Sequence, residues 1–276
     1  MRKHVFVIVL AMIVSLAHGG PAGAAAQGDR AVVPLSKPDQ PATVRVEVLA
    51  GSITVTGYEG KEVIVEAAMR GQKIGDDEKS GGKYAGMKRV SPISGTGLEV
   101  SEENNEVEVS VESWKATIDV TLRVPVRSSL ELHTVNSGDI VVENISGEIE
   151  AGNVNGGIRL SGISGSVVAS TTNGPVEVTF ARIDAQKPMS FASFNGDVDV
   201  TFPSDLKANV KLKTQQGEIY SDFEIATTEG PRKVEEKEGK RYVIRFDRSV
   251  YGKINGGGQE TSFSTFNGDI LIRRSK

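Results

Sequence analysis

The chain has 276 residues and a formal net charge of −4, with 38% hydrophobic and 25% charged residues, a balance that allows a buried core and excludes disorder over the whole length. It has no cysteine and three histidines, so disulfides, thiol nucleophiles and cysteine-containing zinc sites are excluded. Glycine is in excess at 31 residues, about 11% against a usual share of about 7%.

Arg2 and Lys3 precede an apolar run over residues 5–16 broken by Ser15, followed by Gly19, Gly20, Pro21 and Ala24-Ala25-Ala26. This order predicts a secretory signal peptide over 1–26, cleaved after Ala26. The apolar run is short of the roughly 20 residues that a spanning helix needs, so no membrane insertion is expected after cleavage. Arg2 and Lys3 leave and no acid does, which takes the charge from −4 to −6. An acidic surface argues against nucleic acid as a partner, because phosphate binding draws on clustered Lys and Arg. His4 and His18 also leave, so any Ser-His-Asp triad would have to use His133.

Residues 27–41 read as a linker before a single domain over 42–276. Residues 43–49, 52–56 and 62–67 alternate apolar with polar, as do 106–112 and 117–124, which is the strand period. Glu106, Glu108 and Glu112 alternate with Val107, Val109 and Val111 and so form a solvated face. Residues 71–97 are rich in Gly and Lys without periodicity and read as an insertion loop. Trp114 is expected to pack where the N-terminal strands meet the next region.

From there a repeat takes over. Gly138, Gly147, Gly156, Gly165 and Gly174 are nine residues apart, with apolar residues two places on (Ile140, Ile149, Ile158, Val167, Val176) and four places on (Val142, Ala151, Leu160, Ala169, Val178). Units with Asn155-Gly156 and Asn173-Gly174 alternate with Ile145-Ser146-Gly147 and Ile163-Ser164-Gly165, so the true period is 18. Two short strands and two turns per period describe one coil of an all-β fold, a flattened β-solenoid of about 18–22 residues per coil, preceded by an N-terminal strand region. Asn195-Gly196, Gln216-Gly217 and Asn267-Gly268 continue the first type, with a charged insertion loop at 229–240 before the last. Arg273, Arg274 and Lys276 form a charged tail that discourages pairing at that end and favours a monomer.

Coils stack at about 4.8 Å, so Ser137, Asn155, Asn173, Asn195, Gln216 and Asn267 are expected to form a polar ladder. Asn-Gly supplies turn conformations and stacked amides bond to one another. Asn155, Asn173, Asn195, Gln216 and Asn267 are also the candidate ligand-binding residues. Phe194 and Phe266 occupy matching places before Asn-Gly and are expected to stack inside or at the edge of the solenoid, with an exposed aromatic binding strip as the alternative.

Ile118-Asp119-Val120-Thr121-Leu122-Arg123-Val124-Pro125, then residues 130–132 and Ser137-Gly138-Asp139-Ile140, resemble a family of exported bacterial adhesin-like proteins that carry the domain of unknown function DUF4097. The likeness runs from about Ala42 to the C-terminus. It implies a β-solenoid and a place in the envelope or on the surface, and brings no catalytic residues with it.

Chemistry finds little purchase. A calcium β-roll needs carboxylates at each turn, yet the position after the repeat Gly holds Gly157, Ser166 and Pro175 in three successive units, so no metal is expected. Asp197 and Asp199 share a face, as a glycosidase pair would, but beside Val198 and Val200 they read as a solvated face. His133 should be exposed next to Glu131. No cofactor or catalytic residue is expected. The sequence therefore points to an exported, non-catalytic adhesin-like binding or scaffold protein of the cell envelope, in the periplasm or on the surface, whose partner is an envelope protein or glycan. A polysaccharide-active β-helical enzyme and an envelope-stress accessory binding a membrane protein are the alternatives.

Overall fold

The computed structural model describes residues 28–71, 95–111, 116–184, 186–228, 232–238, 241–247 and 249–276. The expected signal peptide, most of the 71–97 insertion, Glu112 and Trp114 lie outside the described residues. The strands in chain order are β1 (Asp29–Pro34), β2 (Ala42–Ala50), β3 (Ile53–Tyr58), β4 (Glu62–Met69), β5 (Leu98–Glu103), β6 (Glu106–Val111), β7 (Ile118–Pro125) and β8 (Ser128–Asn136). They continue with β9 (Ile140–Glu143), β10 (Ser146–Asn155), β11 (Ile158–Asn173), β12 (Val176–Ile183), β13 (Met189–Asn195), β14 (Val198–Phe202), β15 (Ala208–Lys213) and β16 (Ile219–Ser221). The last are β17 (Ile225–Thr228), β18 (Arg232–Glu238), β19 (Arg241–Asp247), β20 (Val250–Ile254), β21 (Gln259–Asn267) and β22 (Ile270–Arg274).

Each coil has one strand on each of two opposed faces. The first face runs β5-β6-β2-β8-β10-β11-β13-β21-β15-β20-β17. The second runs β1-β4-β7-β3-β9-β11-β12-β14-β22-β16. β11 serves both, because it crosses from one face to the other as a single strand with register shifts between Ser161 and Ser164. The period of 18 is literal: Ser146 pairs with Ser164 and Asn155 with Asn173.

Space order departs from chain order at both ends. The N-terminal pair β2-β3 lies between β6-β7 and β8-β9, and the C-terminal pair β21-β22 lies between β13-β14 and β15-β16. Nine-residue spacing fixes which residues stack within a continuous run of coils. It carries no information on an insertion that enters from 50 residues away, and this is why chain order misplaces Gln216.

Three further expectations are corrected. Residues 27–41 are not a free linker, since β1 pairs with β4 along its whole length and Glu102 and Asn105 hold the amides of Ser36 and Lys37. The 229–240 insertion contains β18 of the antiparallel hairpin β18-β19, not a loop. Arg273 and Arg274 belong to β22, not to a solvated tail. Ends of the stack are closed by antiparallel strands: β5, β4 with β1, and β20 with β17. Only β16, three residues long, ends its face with a strand parallel to its neighbour, and short edges pair poorly.

The core fills as the repeat predicts. Ile140, Val142, Ile149, Ala151, Ile158, Leu160, Val167, Ala169, Val176 and Val178 are all buried. Beyond Ala151 and Ala169 the interior widens around two stacked phenylalanine pairs, Phe180 on Phe202 at 5.2 Å and Phe191 on Phe263 at 5.3 Å, with edge contacts of 6.2 Å between the pairs. Such pairs add about 0.5–1.5 kcal/mol each to the burial of the rings.

Candidate binding surface

The corner joining the first face to the second is built in columns. At its centre are the turn glycines, in space order Gly51, Gly138, Gly156, Gly174, Gly196, Gly268 and Gly217. A Cβ on Gly174 would sit 2.4 Å from the Gly156 carbonyl oxygen, and one on Gly196 would sit 2.2 Å from that of Gly174. Glycine is therefore required by the closeness of the coil below, as well as by a φ of +148° at Gly174 and +155° at Gly196.

The carbonyls of these glycines point inward and need donors. A column of side chains, buried except for the half-buried Thr214, supplies them, each member reaching one coil down: Thr134 Oγ1 to Gly51 O (2.9 Å), Asn153 Nδ2 to Gly138 O (2.9 Å), Thr171 to Gly156 (2.8 Å), Ser193 to Gly174 (2.8 Å), Thr265 to Gly196 (2.9 Å) and Thr214 to Gly268 (3.0 Å). Sequence inspection missed this column. Its signal is a Ser, Thr or Asn three places before the turn glycine, or four at Thr134 where Ser137 is the extra turn residue, at a position where strand alternation demands an inward side chain. Asn153 alone is an amide there, and its Oδ1 is buried without a partner.

Outside the turn runs the amide ladder. Asn155 donates to Asn136 (3.0 Å), Asn173 to Asn155 (2.8 Å), Asn195 to Asn173 (2.9 Å) and Asn267 to Asn195 (2.7 Å). All four bonds point the same way, an arrangement in which neighbours polarise one another. Asn136 takes the place expected for Ser137, which is an extra turn residue at φ +63°. Gln216 follows Asn267 through its backbone, its N–H donating to Phe266 O at 2.8 Å and its main-chain carbonyl accepting from Gly268 N at 3.0 Å.

Beside the ladder, on the outer surface of the first face, the register aligns Leu49, Val135, Val154, Thr172, Phe194, Phe266 and Gln215. All seven are exposed, with Leu49 51% and Phe194 50% accessible. Phe194 and Phe266 stack at 4.8 Å and 12°. The next outward row runs from Glu47 through His133, Gly152, Ser170, Ala192 and Ser264 to Lys213, so small side chains lie between a charge at each end. His133 is exposed in that same row, and Gly152 leaves room for its ring, since a Cβ there would lie 2.6 Å from Nδ1.

Carboxylates after the turn glycines serve the backbone. Asp139 accepts the amide of Gly157, Asp197 that of Asp269, and Asp269 that of Glu218, each at 2.8 Å. Asp119 accepts the amide of Ser52 at 2.9 Å, the Ser52 hydroxyl at 2.6 Å and two bonds from Arg70. Burial pushes the Asp119 carboxyl up, but the bonds from Arg70 and Ser52 outweigh it and hold the group below its ordinary value.

The outer surface of the second face is ion-paired between coils. Arg159 joins Asp139 (3.0 Å) to Glu177 (3.1 Å), and Arg273 holds Asp199 at 2.7 Å. Asp199 is thus part of an ion pair and does not form an open pair with Asp197. A shallow cleft of about 340 Å³ lined by Asp39, Tyr58, Lys61 and Arg127 is closed by its own contacts, Lys61 to Asp39 at 2.8 Å and Arg127 to the Asp39 carbonyl at 2.9 Å. Among the described residues no cluster of three or more His, Asp or Glu side chains is placed to hold a metal.

The family model for Toastrack DUF4097 matches residues 42–273. No curated protein matches the chain. Among solved structures, a candidate cell adhesion protein from Clostridium sporogenes aligns over 90% of this chain and 100% of its own, at 11% identity and a TM-score of 0.46. A candidate adhesin from Bacteroides fragilis aligns over 90% of this chain and 98% of its own, at 9% identity and a TM-score of 0.34.

Proposed function

The chain belongs to the Toastrack DUF4097 family, and on that premise we propose that it is an exported, non-catalytic, adhesin-like binding or scaffold protein of the bacterial cell envelope. The observation that carries the proposal is the exposed row Leu49, Val135, Val154, Thr172, Phe194, Phe266 and Gln215 beside the amide ladder. Not one of these side chains is charged, in a chain where 25% of residues are. Five of the seven are apolar, exposed apolar patches mark interaction sites, and a rigid stack holds this one in place without backbone ordering on binding.

Support for a non-catalytic role comes from the acids. Hydrolysis of glycosides needs one carboxyl to protonate and a second to attack or activate water. Here Asp139, Asp197 and Asp269 accept backbone amides and Asp199 is held by Arg273, so these four carboxylates are engaged in holding the fold. Export rests on the leader sequence alone.

The test is a screen of the protein against glycans and envelope extracts, with Phe194→Ser/Phe266→Ser and Asn155→Ser/Asn173→Ser/Asn195→Ser as comparisons. Binding that falls at least tenfold in the phenylalanine variant, with unfolding temperature unchanged, is the expected result. Binding indifferent to both variants would place the site elsewhere, and turnover of a glycan would remove the non-catalytic assignment. Cell fractionation with N-terminal sequencing of the recovered chain checks export, with Gln27 expected as the first residue.

A further inference from the structure

Resting on the reading of this row as a binding surface, we infer that its occupant is a second copy of the chain, docked antiparallel through the same row.

Three observations lead there. The first is the geometry of the exposed rings. Phe194 and Phe266 lie face to face at 4.8 Å and 12°, so each covers a face of the other and presents its edge to solvent. Sugars bind aromatic residues through open ring faces, whereas edges interlock with apolar side chains. The second is periodicity. Successive members of the row are separated by the strand spacing of about 4.8 Å, and a surface with that repeat fits side chain by side chain only against another β stack. A second copy has the repeat by construction, as in the interdigitated faces of steric zippers.

The third is the order of sizes along the row. Thr172 is the middle member of the seven. A twofold axis through Thr172 places Val154 opposite Phe194 of the second copy, Val135 opposite Phe266 and Leu49 opposite Gln215. Each large ring then meets a small branched side chain, whereas a parallel arrangement would set ring against ring. A twofold contact is self-complementary in this sense by definition. The row and the amide ladder beside it carry no charge, and in the row on the other side the same axis sets Glu47 of one copy opposite Lys213 of the second, so two acidic chains can approach here without like charges meeting at the contact.

Size sets the strength. Six spacings of about 4.8 Å and a width of about 10 Å give roughly 300 Å² per copy, or about 600 Å² in all, against the 1,200 Å² or more of a stable interface. The contact is therefore weak and concentration-dependent in solution, and becomes effective where many copies are held side by side.

Because the chain has no cysteine, Thr172→Cys provides one thiol at the proposed axis, and Thr121→Cys, exposed on the second face, is its control. Sedimentation of the protein, recovered from its cells with native N-terminal processing, is followed from about 10 µM to 1 mM. The expected result is self-association that survives 1 M NaCl and weakens at least tenfold in Phe194→Ser/Phe266→Ser and in Val154→Lys. Under mild oxidation, Thr172→Cys should form disulfide dimers at least tenfold faster than Thr121→Cys. Sedimentation independent of concentration, or equal cross-linking at the two positions, overturns the proposal. If in addition a glycan or another protein binds and is lost in the phenylalanine variant, the surface stands as a binding site and only its occupant was misassigned. If nothing binds and no dimer forms, the functional reading fails as well.

Discussion

Two sets of side chains on the same stack hold neighbouring coils together by different means. Along the turn corner, Asn136, Asn155, Asn173, Asn195 and Asn267 repeat one residue type and one bond. Across the second face, Arg159 with Asp139 and Glu177, and Arg273 with Asp199, connect coils by ion pairs whose partners change from coil to coil. The corner must be regular because the backbones touch there, so only glycine fits the turn and only small polar donors fit the column beneath it. The open sheet face has room, and its charges need only be complementary to a neighbour. The apolar row beside the ladder belongs to the regular region yet varies in size from Val to Phe, since its side chains project outward and nothing in the fold dictates their bulk.

The largest expected effect comes from breaking the regular region where it is tightest. Gly174→Ala would place a methyl group 2.4 Å from the Gly156 carbonyl oxygen at a φ of +148°. Overpacking costs about 1–3 kcal/mol and a side chain held in a disfavoured backbone region about as much again, so a loss of about 3 kcal/mol or more is expected. Urea unfolding followed by circular dichroism measures it. Gly256→Ala is the comparison: its φ is +86° but a Cβ there would meet nothing within 4 Å, so it isolates the backbone contribution.

Next in size is the buried column beneath the turn. Thr171→Val keeps the shape of the side chain and removes the donor to Gly156 O, leaving a buried carbonyl unpaired at a cost of about 1–3 kcal/mol. Asn153 reverses the sign. It donates to Gly138 O and, at 3.3 Å, to Gly157 O, but its own Oδ1 has no partner. Asn153→Thr, which gives the site the residue found at 134, 171 and 265, should stabilise the protein by about 1 kcal/mol. A lower midpoint in that variant would mean that the second bond, to Gly157, outweighs the unpaired oxygen.

These columns also mark how far the sequence can be read. Gly at intervals of nine, with Ile or Val two and four places later, identifies the coil, its period and the buried face, because close backbone approach and strand alternation each leave a one-residue signature. Asn155 and Asn173 in the ladder follow from the same spacing, and Asn195, 22 residues further on, from its own Asn-Gly pair. Asn136 does not, since the extra residue Ser137 shifts the phase by one and only backbone geometry reveals it. The placing of β21-β22 inside the stack leaves no local trace, for Asn267 is as good a neighbour to Asn195 as Gln216 would be. Pairing of Arg273 with Asp199 was hidden for that reason: 74 residues separate them, and their meeting depends on which coil lies next to which.

Acid should affect the two regions differently through Asp119, at the N-terminal end of the corner. Its carboxyl has a lowered pKa in the folded chain, while the unfolded chain titrates near the ordinary value of about 4. The stability it supplies is therefore present above about pH 4 and is lost as pH falls through the folded value. Glu102, for which the pull of burial is outweighed by the amides of Asn105 and Ser36, acts in the same direction. Asp119→Asn should lower the unfolding temperature at pH 7 and reduce the drop seen between pH 5 and pH 2. An unchanged acid profile would assign the titration to other carboxylates.

The smallest effects separate the two kinds of link most directly. Asn173 donates to Asn155 and accepts from Asn195, and Asn173→Ser should cost about 1 kcal/mol, since each exposed neutral bond contributes at the low end of about 0.5–1.5 kcal/mol. Arg159 is half exposed, and Arg159→Gln should cost less than about 1 kcal/mol, as exposed ion pairs do. Magnitude alone barely distinguishes them, but salt does. Raising NaCl from 0.1 M to 1 M shortens the screening length from about 10 Å to about 3 Å, which weakens an exposed ion pair and leaves an amide bond nearly untouched. The destabilisation by Arg159→Gln should therefore shrink toward zero in 1 M NaCl, while that by Asn173→Ser persists. If both shrink together, the ladder draws on the charges around it, and the corner and the face form a single electrostatic system.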